Sequence, residues 1–157
     1  MSNRPRDCQR RRVYEWEWDR ARFTPRSTLI GLDECKRLAE IVCADYGFST
    51  PTVTDGRGRR SAGYAFTENC YSAEIRLPRA FRMRWVVLHE TAHHLLRRDY
   101  EDGLIAFHGP EFVRVYLNLL VEYLGENEAM LSRGLQRVGV RVAPADSASK
   151  RVTKQSQ

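Results

Sequence analysis

Leu88-His89-Glu90-Thr91-Ala92-His93-His94-Leu95-Leu96 is the stretch on which the reading of this chain turns. His89-Glu90-x-x-His93 sets two imidazoles four residues apart. On an α-helix that separation puts both rings on one face, one turn apart, where they can bind a single Zn²⁺. Glu90 lies beside the first ligand and can serve as general base toward a water at the metal. The surrounding pattern supports a helix. Phe81, Trp85, Leu88, Ala92 and Leu95 form one apolar stripe, and His89, His93 and Leu96 lie on its neighbour. Such a helix buries one face while aiming two imidazoles into a cleft. Pro78 suits its first turn, and Arg97 and Arg98 complement the dipole at its end.

Two ligands do not make a stable zinc site; hydrolytic zinc takes three protein ligands and keeps a fourth position open. His108, in His108-Gly109-Pro110-Glu111-Phe112, follows His93 after fourteen intervening residues, enough for the helix to end and the chain to return. It also stands just ahead of a new helix whose backbone can hold its ring. Three of the four histidines fall into this arrangement. The fourth, His94, points away, about 100° round the helix from His93. Asp99, six residues after His93, is the other candidate for third ligand. Some zinc peptidases with a similar motif carry His or Asp at that place, and they need a glycine three residues after the second histidine to turn the chain sharply; Leu96 occupies that position here. The motif also occurs by chance in packed helices. The amphipathic surroundings, the separate histidine and the strands just upstream all count against chance.

Working outward, residues 51–78 read as a sheet. Pro51-Thr52-Val53-Thr54 is a short strand, Asp55 to Arg60 a solvated Gly/Arg turn, and 61–67 and 72–77 a hairpin. Residues 28–46 carry Leu29, Leu32, Cys35, Leu38, Ala39, Val42 and Tyr46 at helical spacing, with Gly47 as the stop. Val13-Tyr14-Glu15-Trp16-Glu17-Trp18 alternates with period two and predicts a short strand. Gly109-Pro110 opens a helix that Gly125 ends, and 127–137 is a shorter one. Asp99 to Gly103 reads as an acidic turn. The expected layout is a basic arm over 1–12, a single domain over 13–143 and a disordered tail over 144–157.

Bulk properties fit one soluble domain of 157 residues, 42% hydrophobic. No apolar run approaches the roughly 20 residues that span a bilayer, and no apolar segment follows the basic N-terminus, so a cytoplasmic protein is expected. Cys8, Cys35, Cys43 and Cys70 form no Cys-x-x-Cys pair, which argues against a zinc ribbon and for reduced, structural thiols. Cys35 and Cys43 are about two helical turns apart and should share a buried face. The net charge is +6, and only Lys36, Lys150 and Lys154 are lysines. An arginine-rich surface suits DNA or another acidic partner; solvated charges spread over the whole surface account for it as well.

His89-Glu90-Thr91-Ala92-His93, the fourteen-residue gap and His108-Gly109-Pro110-Glu111-Phe112 resemble the SprT-like (Spartan-type) zinc metalloproteases over roughly residues 78–116. Arg6-Asp7-Cys8-Gln9-Arg10 through Tyr14 resembles a group of small actinobacterial and phage metallohydrolases. The resemblance implies an α+β, zincin-like minimal metalloprotease, with a small antiparallel or mixed sheet packed against the two-histidine helix and flanking helices. It implies Zn²⁺ on His89, His93 and His108, Glu90 as the catalytic residue, and protein substrates associated with DNA. No four-cysteine ribbon of the kind many members carry lies within these residues. The expectation is therefore a zinc metallopeptidase acting on a protein or peptide. The alternatives are a non-catalytic, zinc-stabilised nucleic-acid-binding module and a zinc amidohydrolase on a small substrate. Tyr64, Tyr71 and Tyr116 are candidates for a second oxyanion donor.

Overall fold

Three short strands and seven α-helices make up the described part of this computed structural model, residues 5–21, 28–66 and 72–152, so the class is α+β. No helix among the described residues is long and apolar enough to cross a membrane. The chain divides into two compact units.

The first unit runs from Arg26 to Arg97 and contains the sheet. Its first helix, numbered α2 in chain order (Leu32–Asp45), buries Cys35, Ala39, Val42 and Cys43, the apolar face expected from the sequence. Asp33 and Glu34 sit in its first turn, where negative charge complements the helix dipole. Strands β1 (Thr52–Thr54), β2 (Gly63–Phe66) and β3 (Ala73–Arg76) form a mixed sheet in the order β1-β3-β2. β2 and β3 are the expected antiparallel pair, with Tyr64 opposite Ile75; residues 67–71 between them lie outside the described ones. β1 runs parallel to β3, with Val53 opposite Ile75, and Ile75 is fully buried on the central strand.

Gly56 closes the exit from the parallel pair. Its φ is +58°, and a Cβ there would fall 2.7 Å from Pro78 Cδ. Only glycine lets the chain leaving β1 press in this way against Pro78, two residues past the end of β3. Leu77 N, donating to Thr54 O at 3.0 Å, adds one more bond beside it.

Helix α3 (Arg84–Leu95) carries the two-histidine motif and packs on α2, β2 and β3. Two details differ from expectation. Pro78 does not begin this helix: a 3-10 turn at Arg79–Phe81 intervenes, and Met83 is the N-cap in extended conformation. Arg82 anchors the link, donating from Nε to Leu77 O and accepting at its carbonyl from Ile30 N. Second, the apolar stripe is too modest a description. Every residue from Trp85 to Leu95 is buried, as in a helix enclosed on all sides.

The second unit joins residues 1–25 to 98–153. Its helices are α1 (Arg10–Ala21), α4 (Arg97–Glu101), α5 (Pro110–Leu124), α6 (Glu128–Arg137) and α7 (Ala145–Arg151). Here the expected strand over 13–18 is corrected to a helix. The buried residues are Val13, Trp16 and Glu17, at i, i+3 and i+4, while Trp18 is exposed, so the apparent alternation does not describe the burial. Trp16 stands edge-on to Tyr116, and Gly134 of α6 makes room for its indole: a Cβ there would lie 2.8 Å from Nε1. Gln9 donates to Arg141 O and accepts from Arg141 N, both at 3.0 Å, and Arg12 donates to Gly139 O at 2.8 Å. The described part of the expected basic arm is thus fastened to the chain around residue 140.

Helix α5 buries Phe112, Val115, Tyr116, Leu119 and Leu120 as expected, and Gly125 caps it in the left-handed conformation at φ 64°. Asn127 caps α6 by accepting from Met130 N. The expected acidic turn after residue 98 is the short helix α4. The expected disordered tail is corrected over 145–151, which form α7 against α5. Polar composition there hides two anchors: an ion pair from Arg151 to Asp99 at 2.8 Å and the buried Val152. Residues 153–157 lie outside the described ones.

Candidate metal centre

His89 and His93 project from α3 with their Nε2 atoms 3.2 Å apart and their ring centroids 5.0 Å apart. Both are buried, as is Glu90 between them. The helical spacing therefore does what the motif predicts, converging two imidazole nitrogens on one point. Tyr64 of β2 lies parallel to the His93 ring, at 6.5 Å and 9°.

His94 faces elsewhere, as expected. Its Nε2 donates to Ser49 O at 2.7 Å, because a carbonyl can only accept, and its Nδ1 lies 3.0 Å from the Tyr64 hydroxyl. Burial pushes its pKa down to about 4, so the ring is neutral and Nδ1 accepts the Tyr64 proton. That commits the Tyr64 hydroxyl to His94 and argues against its candidacy as an oxyanion donor. Tyr116 is buried and stacked on Phe112, a packing role, and Tyr71 lies outside the described residues.

His108 ends the loop before α5, immediately ahead of the N-cap Gly109. Gly109 permits a tight approach there, donating to Ala106 O at 3.0 Å, and a Cβ would lie 3.2 Å from that same oxygen. The His108 ring is held by aromatic contacts with Tyr14 and Phe112, each at 5.1 Å between centroids. Its Nδ1 is 2.7 Å from Asp7 Oδ2, and its backbone N–H donates to Asp7 Oδ1 at 3.2 Å. Sequence reasoning passed over Asp7. The signal available was a single acid inside an otherwise basic stretch.

His89, His93 and His108 are all buried, and each offers a ring nitrogen, these atoms lying within 4.8 Å of one another. Three buried imidazoles at that separation can hold a metal ion. Neutral imidazole donors suit zinc, copper, iron and nickel. Asp99, the other candidate for third ligand, is engaged in the ion pair with Arg151 and is not in this group. Comparison with family models, curated proteins and solved structures finds no match to the chain.

Proposed function

We propose that this chain is a zinc-dependent hydrolase, a metallopeptidase acting on protein or peptide substrates. The observation that carries the reading is the set of three buried histidines whose ligand atoms lie within 4.8 Å of one another. Three imidazoles form a donor set that leaves a coordination position open, the pattern of hydrolytic rather than structural zinc. Glu90, buried and adjacent to His89, supplies the group that a purely structural site would not need. The resemblance to SprT-like proteases supports the same reading, with a zincin-like arrangement of the small sheet beside the motif helix.

His89, His93 and His108 would hold the ion through ring nitrogens. When bound, it supplies a Lewis acid that acidifies water and polarises a substrate carbonyl. The Glu90 carboxylate takes a proton from the attacking water and then delivers it to the leaving amine nitrogen. Burial of the three rings keeps bulk water from competing with them. β2 lies at an edge of the sheet, so its backbone can receive an extended peptide by strand addition.

The test is Glu90→Gln in the zinc-loaded full chain. Zinc content should be unchanged and peptide hydrolysis should fall by about 10²–10⁴-fold. Undiminished turnover overturns the mechanism. A nucleic-acid-binding module would instead hold DNA with steep salt dependence and cleave no protein. An amidohydrolase would cleave a small amide and spare proteins.

A further inference from the structure

We infer that Asp7 is a positioning residue for the metal centre, acting through His108. The inference rests on His108 being a ligand and says how its ring is presented.

Asp7 grips His108 at two points. Oδ2 lies 2.7 Å from Nδ1, and Oδ1 accepts from the backbone N–H at 3.2 Å. An ionised carboxylate can only accept, so the proton shared with Nδ1 resides on the ring side and the neutral imidazole keeps its lone pair at Nε2. The carboxylate thereby selects both the tautomer and the ring orientation, and it raises the basicity of the nitrogen left for a metal. Because the same carboxylate also binds the backbone, ring and main chain are set by one group.

The chain spends structure on holding Asp7 in place. Asp7 and His108 are 101 residues apart in sequence. Two residues on, buried Gln9 exchanges two hydrogen bonds with the backbone of Arg141, and Arg12 reaches Gly139 O. Tyr14, one turn into α1, lies against the His108 ring. Residues 7–14 thus form a strap that delivers a carboxylate to one histidine.

The experiment compares wild type, Asp7→Asn and His108→Ala as full chains. It reads the zinc dissociation constant by competition with a chromophoric chelator and the histidine tautomers by ¹⁵N NMR. Asparagine offers one acceptor oxygen where the carboxylate offers two, and it turns an N–H toward one of the two His108 donors. Asp7→Asn should weaken zinc binding by about 10–100-fold, and His108→Ala should weaken it further. In zinc-loaded wild type, His108 should carry its proton on Nδ1. Unchanged affinity in Asp7→Asn, alongside loss in His108→Ala, overturns the role of Asp7 and leaves the ligand set standing. Unchanged affinity in His108→Ala overturns the ligand set itself. A metal on Nδ1 of wild-type His108 overturns the inference without any variant. A merely structural Asp7 would lower the melting temperature of the metal-free protein and leave both readouts where they were.

Discussion

The Tyr64 hydroxyl and His94 Nδ1 lie 3.0 Å apart, and this one hydrogen bond ties the edge strand β2 to the helix that carries His89 and His93. Tyr64→Phe leaves a buried ring nitrogen without its donor, which costs about 1–3 kcal/mol of stability. Zinc content and turnover should change little. Chemical denaturation and steady-state kinetics on the same preparation check this. An oxyanion role for Tyr64 would show the reverse pattern, a fall of about 10²–10³ in kcat with stability retained.

Gly56 and Gly58 are both left-handed, at φ +58° and +79°, yet only Gly56 has a neighbour in the way. Gly58→Ala carries the conformational cost alone, about 1–2 kcal/mol. Gly56→Ala adds overlap with Pro78 and should lose about 2–4 kcal/mol. Equal losses in the two variants would show that the approach to Pro78 is not what requires glycine.

Burial pushes the Cys35 thiol up to about 11 and the Cys43 thiol up to about 12. Unfolded, both ionise near 9, so above that pH the unfolded chain holds fewer protons than the folded one. Stability from these thiols is complete below about pH 9 and is lost as pH rises toward 11 and 12. Denaturation midpoints should fall between pH 9 and 10.5, and less steeply in Cys43→Ala. At neutral pH a thiol reagent should modify exposed Cys8 well before either α2 cysteine.

A metal that binds only the folded state must stabilise it by mass action. Free zinc at about 100 times its dissociation constant adds about 2.7 kcal/mol, and a chelator removes it. Thermal melts with and without zinc check this, and His89→Ala should abolish the zinc-dependent rise. A melting temperature indifferent to zinc would contradict a folded-state metal site.

Much of this molecule is legible locally. Helical spacing alone places His89 and His93 together and turns His94 away, because both consequences follow from 3.6 residues per turn. Cys35 and Cys43 fall on the buried face of α2 for the same reason. The β2–β3 pair is readable because two strands close in sequence have few ways to meet. Residues 13–18 mislead because Glu17 is buried and Trp18 is not, contrary to what polarity alone suggests. The 145–151 segment misleads because its order rests on Arg151 meeting Asp99, 52 residues away by the numbering.

By itself, then, the sequence determined the motif helix and the pair of imidazoles on it, and it offered His108 and Asp99 as candidates for their companion. Each of those is written in short-range spacing and residue type. Only the tertiary structure decided that Trp85 to Leu95 are enclosed on every side, that residues 10–21 coil into a helix and that Asp7 holds His108. Those depend on which distant surfaces meet, and a carboxylate 101 residues from an imidazole leaves no periodicity to read.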